Sequence, residues 1–204
     1  MQAKPSVFKS TAWYGAGNLI LRAVNFLLLP LYSQVLSTEE FGNYALILAF
    51  YSIALIIYQA GFGIGFTKFY LDETDSEKRK TVFSGILNTV FIISVLLSTI
   101  GIIFKNQISL LLLGSSAFAQ LFFIVFISLF FENILFFLLY YFKILEKSKF
   151  VVFITAISST VNFLLNIILV YFFAFGIEGI LISLLVSNAA AVIILAPFVF
   201  KDYA

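Results

Sequence analysis

The chain has 204 residues, of which 62% are hydrophobic and only 11% are charged, whereas soluble domains carry about 25% charged residues. This composition excludes a water-soluble globular fold, whose exterior must meet water, and it excludes intrinsic disorder, which requires low hydrophobicity. Because the chain has no cysteine and no histidine, disulfides and Ser-His or Cys-His catalytic pairs are excluded as well.

Six apolar stretches follow one another along the chain, and each is long enough for a transmembrane helix of roughly 20 residues. The apolar runs are continuous, which favours helices over the alternating strands of a membrane β-barrel. We therefore predict an all-α membrane protein in which residues 1–204 form one lobe, a bundle of six transmembrane helices. The predicted helices are residues 11–36, 39–66, 80–104, 117–141, 151–173 and 180–199.

Local signals define several of the helix boundaries. The first stretch is longer than a signal-peptide core of about 7–15 residues, so we interpret it as an uncleaved helix. Ser37 and Glu40 match a capping box at the start of the second helix. The glycine-rich segment 61–65 predicts a break or a close helix contact near the end of that helix. Within residues 105–119 we predict a short interfacial helix.

Basic residues are unevenly divided between the two sides of the predicted bundle. Ten of the 12 basic residues lie on the side that holds both termini, whereas the opposite side has only Lys105, and Arg22 lies within a helix. By the positive-inside rule, both termini are predicted to be cytoplasmic. The ten residues are Lys4, Lys9, Lys68, Lys78, Arg79, Lys80, Lys143, Lys147, Lys149 and Lys201.

Arg22 is the residue that points most strongly to a function. Trp13 and Tyr32 suit the two membrane interfaces, and this places Arg22 about 14 Å from Trp13, near the midplane. A central arginine costs at least about 2.5–3.5 kcal/mol on insertion scales and usually faces the bundle interior or a wet cavity. Asn18 and Asn25 share its helix face. Two interpretations remain open: this face lines a cavity, or Arg22 forms a salt bridge that serves packing.

Glu132 is the only acidic residue deep within a predicted helix. It lies nine residues before Tyr141, which is about 14 Å from the cytoplasmic interface and so matches the depth of Arg22. Because an unpaired charge in lipid is costly, we predict that the two side chains lie close together and face the lobe interior. Glu132 either pairs with Arg22 or titrates as a proton carrier.

Polar residues form stripes at helical spacing on the last two predicted helices. Asn162 and Asn166 belong to the stripe on the fifth helix, and Ser187 and Asn188 belong to that on the sixth. Such stripes line a hydrophilic cavity, or they form interhelical hydrogen bonds worth about 0.6 kcal/mol each. We predict no catalytic residue, no metal site and no cofactor. The substrate-binding candidates are Arg22, Asn18, Asn25, Glu132, Asn162 and Asn166.

Several short motifs carry a family resemblance. They are YGAGN at residues 14–18, LLPLY at 28–32, LSTEEFGNY at 36–44 and GIEG at 176–179. Together they resemble the polysaccharide biosynthesis proteins, the Wzx-type oligosaccharide flippases of the MOP superfamily. The resemblance implies twelve or fourteen helices, arranged as two six-helix lobes around a central cavity. This chain corresponds to the N-terminal lobe, and an even helix number lets a second lobe enter with the same orientation.

The resemblance also implies a function. Members move lipid-linked oligosaccharides of the polyprenyl-pyrophosphate type across the bacterial inner membrane. The expected partners are therefore the lipid bilayer, such a lipid-linked oligosaccharide and a second six-helix lobe, supplied by a missing C-terminal half or by another chain, and not nucleic acid. Arg22 would donate charge-assisted hydrogen bonds to the pyrophosphate.

Other functions are weighed against this one. A drug or lipid exporter of the same superfamily and a non-functional fragment remain alternatives. A membrane glycosyltransferase is disfavoured, because Glu39 and Glu40 lie in a very short external loop and the capping box already accounts for Glu40. A voltage sensor requires repeated arginines on one helix, and only Arg22 lies within a helix. We therefore predict a transporter lobe and not an enzyme.

Overall fold

The structure is a computed structural model that describes residues 15, 26, 28–200 and 203. Every regular element within these residues is helical. Residues 28–35 are helical and are called α1. A short 3₁₀ turn, Ser116–Phe118, precedes α6, and a π-helical segment, Ile167–Phe172, continues α7. The other helices are α2 (Thr38–Gln59), α3 (Phe62–Asp72), α4 (Ser76–Ile103), α5 (Lys105–Leu113), α6 (Ala119–Ile144), α7 (Ser148–Asn166) and α8 (Gly176–Val199).

Five helical segments of the described chain are long and apolar enough to cross a membrane. The protein is therefore a multi-pass membrane protein, as its composition predicts. The first predicted helix, residues 11–36, lies mostly outside the described residues, and α1 corresponds to its C-terminal part. The five segments are Thr38–Asp72, Ser76–Ile103, Ser116–Ile144, Ser148–Phe172 and Gly176–Val199.

The predicted helix 39–66 is divided into two. Ala60 (φ 41°) and Gly61 (φ 73°) adopt the left-handed conformation, so α2 ends there and α3 continues the span as far as Asp72. A Cβ atom added at Gly63 would lie 3.0 Å from the ring of Tyr140 on α6. The glycine-rich segment thus provides both the break and the close helix contact that its composition suggests.

Side-chain caps set the beginnings of two helices. Ser37 accepts the backbone N–H of Glu40 (3.2 Å), and the Glu40 carboxylate accepts the backbone N–H of Ser37 (2.8 Å). This confirms the predicted capping box. The helix predicted over residues 80–104 begins earlier, at Ser76, because the carboxylate of Asp75 accepts the backbone N–H of Glu77 and caps α4. The short helix predicted within residues 105–119 is confirmed as α5.

The central helix of the bundle is α6. It contacts each of the helices α2, α3, α4, α5, α7 and α8. In its most apolar 18-residue window, 61% of the residues are buried inside the protein, against 22% for the windows of α2–α3 and α4. Those two outer spans therefore present most of their side chains away from the lobe, towards lipid or a neighbouring chain.

The apolar core has two parts, one towards each end of the bundle. The first joins α1, α2 and the start of α8 around the first half of α6, and the second joins α3, α4, α7 and the end of α8 around its second half. On α6 the first part ends at Leu129 and the second begins at Ile134. Glu132 lies between them, at the level where the apolar core is interrupted.

Candidate functional site: a polar cavity within the bundle

A cavity of about 470 Å³ lies between α2, α6, α7 and α8. One side of its wall is apolar, and the other carries hydroxyl, amide and charged groups. Each of these helices contributes at least one polar side chain, so the polar surface belongs to the bundle rather than to a single helix. The polar lining residues are Gln59, Glu132, Lys143, Thr155, Ser158, Ser159 and Asn188.

Glu132 occupies the middle of α6. It is 13 residues from Ala119 and 12 from Ile144, which is about 18–20 Å from either end of the helix. Its carboxylate accepts hydrogen bonds from the Tyr51 hydroxyl on α2 and from the Asn188 amide on α8, the latter at 3.4 Å. Both donors are buried. The carboxylate is thus stabilised by neutral donors from two other helices while it borders the cavity.

Asn133, the next residue, belongs to a different contact. Its amide donates to the Ser94 hydroxyl on α4 at 2.9 Å, and both side chains are buried. Successive residues on a helix point about 100° apart, so Glu132 faces the cavity while Asn133 faces α4. Of these two neighbouring polar residues, only Glu132 belongs to the site.

A second chain of polar contacts runs along α7 and α8. The Tyr32 hydroxyl donates to Oδ1 of Asn166 at 2.7 Å. The Asn166 amide donates to the backbone carbonyl of Asn162 at 2.9 Å, and the Asn162 amide lies 3.4 Å from the Ser187 hydroxyl. Asn162 and Asn166 do not line the cavity, whose α7 wall ends at Ser159. Their role in substrate binding stays a prediction.

Three of the predicted candidates, Asn18, Arg22 and Asn25, lie outside the described residues. The predicted approach of Arg22 to Glu132 therefore stays a prediction as well. Within the described part of the chain, the polar partners of Glu132 are Tyr51 and Asn188.

The cavity includes residues that were not among the sequence candidates. Tyr51 was missed although a signal exists: Tyr44, Tyr51 and Tyr58 recur every seven residues, which places them on one helix face, and all three are buried. Lys143 was assigned to the loop after a helix ending at residue 141. The helix α6 continues to Ile144, so Lys143 lies within it and lines the cavity.

The fold and the cavity together define a class: a multi-pass helical membrane protein with a polar cavity enclosed by its spanning helices. The family model described as "Polysaccharide biosynthesis protein" matches residues 7–204. The chain belongs to the polysaccharide biosynthesis protein family, as the sequence motifs indicate. No curated protein matches the chain.

Solved structures of MATE transporters share its fold. A mutant of the Vibrio cholerae MATE transporter VcmN aligns with a TM-score of 0.84 and 18% identity, over 98% of this chain and 47% of that chain. An outward-facing multidrug resistance MATE family transporter of the MOP superfamily aligns with a TM-score of 0.65 and 18% identity, over 98% and 47% of the two chains. A further MATE mutant gives 0.64 and 17%, over 98% and 46%.

This chain therefore spans about half the length of these transporters. At such low identities the likeness concerns the fold alone. It confirms the predicted fold class, an all-α bundle that resembles one lobe of a MOP-type transporter.

Proposed function

We propose that this chain is one lobe of a transporter that flips a lipid-linked oligosaccharide of the polyprenyl-pyrophosphate type across the bacterial cytoplasmic membrane, for surface polysaccharide biosynthesis. The observation that carries the proposal is the polar cavity around Glu132, enclosed by apolar spanning helices in a chain of this family. An ionisable group at this depth is costly and is retained where a polar solute or an ion passes.

The lining suits a carbohydrate headgroup. Sugar hydroxyls both donate and accept hydrogen bonds, and the Glu132 carboxylate is an acceptor for such donors. One helix away, Thr155, Ser158 and Ser159 offer hydroxyls that do both. The apolar wall lets the headgroup cross while the polyprenyl tail stays in lipid. Flipping then requires a polar path for the sugars only, which a cavity within the lobe supplies.

The pyrophosphate needs a cation on the same path. Lys143 lines the cavity and follows Glu132 by 11 residues on α6, which separates the two by about 16 Å along the helix. We infer that Lys143 meets the phosphates at the end of the cavity, and that Arg22 meets them deeper, near the midplane. In this arrangement the sugars reach Glu132 while the diphosphate stays near a cation.

The orientation and the second lobe belong to the same proposal. With cytoplasmic termini, the α3–α4 and α6–α7 connections are cytoplasmic and carry most of the basic residues. Single cysteines at Asp75 and Lys147 should then resist a membrane-impermeant thiol reagent added from the periplasmic side, whereas a cysteine at Lys105 should react. Labelling of the first two would contradict the topology. The second lobe would face the little-buried side of the bundle and complete the transporter.

The test uses the transporter with both lobes in lipid vesicles. The probe is a polyprenyl-pyrophosphate disaccharide with a fluorescent label on its sugar, and dithionite, which does not cross the bilayer, bleaches the label in the outer leaflet. We expect bleaching to proceed past the outer leaflet only in vesicles that hold the protein. If bleaching stops there while the same vesicles move a fluorescent drug cation, the chain belongs to a drug exporter instead.

A further inference from the structure

A second pocket, of about 200 Å³, lies between α3, α4 and α6, at the end of the bundle that carries most of the basic residues. It is separate from the Glu132 cavity and shares no lining residue with it. Two charged side chains line the second pocket, Arg79 and Lys80, and both are cationic. Hydroxyl-bearing side chains, Tyr70, Thr74, Ser76 and Tyr141, form much of the remaining wall.

The acidic residues of the α3–α4 connection do not line this pocket. The Glu73 carboxylate accepts the backbone N–H groups of Thr74 and Asp75 at 2.9 and 3.0 Å. Asp75 caps α4, and Glu77 pairs with Lys80 at 3.0 Å on the exposed surface. The carboxylates are thus engaged by the backbone and by one lysine, so the charge inside the pocket is positive although the connection as a whole contains several acids.

Arg79 is held in place before any ligand arrives. Its Nε donates to the backbone carbonyl of Glu73 at 2.7 Å, and its guanidinium lies 5.4 Å from the ring centroid of Tyr70. Tyr70 is itself fixed against the ring of Tyr141 in the apolar core. Within the described part of the chain, the terminal Nη groups of Arg79 have no hydrogen-bond acceptor. They are left as paired donors on a rigid fork, the arrangement that binds a phosphate.

The surroundings favour a phosphate that is attached to a lipid. The pocket lies where three spanning segments end, so it is at the level of the membrane interface. On the neighbouring turn of α3, Phe69 and Leu71 are 62% and 56% exposed. A free phosphate would gain nothing from this apolar surface, whereas the acyl chains of a phospholipid would cover it.

We propose that the pocket between α3, α4 and α6 binds the phosphate group of an anionic phospholipid. The Arg79 guanidinium is the principal donor, Lys80 is the second cation, and the hydroxyls of Thr74 and Ser76 complete the contact. This site does not depend on the transported substrate. It would anchor the α3–α4 connection, and with it the end of the broken α2–α3 span, at the membrane surface.

The experiment measures lipid binding to the full chain in detergent by native mass spectrometry, with dioleoyl phosphatidylglycerol as the probe and dioleoyl phosphatidylcholine as the zwitterionic comparison. We expect a preference for phosphatidylglycerol that Arg79→Ala lowers about tenfold, the loss of one charge-assisted hydrogen-bonded contact. The matched control is Lys78→Ala, which removes the same charge one residue away, from a side chain that does not line the pocket. It should leave the preference unchanged.

Two further arms separate the remaining outcomes. Arg79→Lys, which keeps the charge and disturbs the fold least, should bind with intermediate affinity. Inorganic phosphate should not displace the lipid at concentrations that leave Lys78→Ala binding intact. Equal losses in Lys78→Ala and Arg79→Ala would reduce the effect to general surface charge and overturn the proposal. Phosphate binding that depends on Arg79 without any lipid preference would overturn the lipid as the ligand.

Discussion

Two chains of polar contacts cross the bundle, and they differ in charge and in what they face. The first joins Tyr51, Glu132 and Asn188 across α2, α6 and α8, contains a carboxylate and borders the cavity. The second runs from Tyr32 through Asn166 and Asn162. All its members are neutral, and Asn166 is only 1% exposed.

The difference separates structural polarity from functional polarity. A neutral amide or hydroxyl inside a membrane bundle satisfies itself across helices, and such bonds contribute about 0.6 kcal/mol on average. A carboxylate at the midplane costs more to place, and neutral packing could replace it if stability were its only role. We therefore assign transport to the Glu132 chain and helix association to the Asn166 chain. The experiments below test this division, from the largest expected effect to the smallest.

Glu132→Gln should give the largest effect. The amide keeps the size of the side chain and one acceptor but loses the charge, so contacts to substrate hydroxyls or to a passing cation weaken. We expect the flipping rate to fall about tenfold or more, with a normal amount of protein in the membrane. The rate is measured by the dithionite assay.

The matched control for Glu132→Gln is Ser128→Ala. Ser128 lies one turn earlier on α6 and is buried, and its hydroxyl has no hydrogen-bond partner within the described part of the chain. Its removal should leave transport unchanged. Unchanged transport in Glu132→Gln would remove the carboxylate from the mechanism and make the first polar chain equivalent to the second.

Arg22→Ala should also reduce transport strongly, while expression falls much less, because a neutral residue inserts more readily at the midplane. Arg22→Lys should be partly tolerated, since lysine keeps the charge and loses the bidentate fork. The combination of Arg22→Ala with Glu132→Ala tests whether the two charges only neutralise each other. We expect no rescue of transport in the double variant. Full rescue would assign both residues to packing.

The helical architecture follows from features that depend on neighbouring residues or on length. Continuous apolar runs fix the spans, and the Ser37–Glu40 cap fixes one helix start, because both act within a turn or a bilayer thickness. The break between α2 and α3 was foreseen only as one of two options. Gly61 permits the left-handed conformation there, and Ala60 adopts it as well, at a cost that local sequence does not predict.

The site was harder to foresee because it depends on which helix faces meet. The depth of Glu132 could be calculated from the sequence, but its contact with Tyr51 joins residues that are 81 positions apart. Lys143 shows a second reason: an error of three residues at the end of α6 moved a cavity residue into a loop. Asn162 and Asn166 have the spacing of a cavity stripe. In the folded lobe, however, their amides contact other helix groups, and periodicity alone does not distinguish these two environments.

Asn166→Ala should destabilise the lobe while leaving its transport mechanism intact. The change removes the acceptor of the Tyr32 hydroxyl and the donor to Asn162, and it leaves a buried hydroxyl unpaired. We expect a loss of about 1–2 kcal/mol in the free energy of unfolding, measured by thermal or denaturant unfolding in detergent. The control is Asn43→Ala on α2, a half-buried amide without a side-chain hydrogen bond in the described chain. A transport defect per folded molecule in Asn166→Ala would bring the second chain into the mechanism.

Tyr32→Phe should have the smallest effect and should measure the second chain most directly. The change removes one hydroxyl and keeps the edge-to-face contact with Tyr44, whose ring centroid lies 5.4 Å away. The lost bond to Asn166 should cost about 0.6 kcal/mol. A double-mutant cycle with Asn166→Ala isolates the bond from the other effects of each change, because the two side chains contact each other directly. A coupling energy near that value would define this chain as ordinary helix packing. A coupling several times larger, accompanied by slower flipping, would mean that the α1–α7 contact opens during transport, and the division between the two chains would then fail.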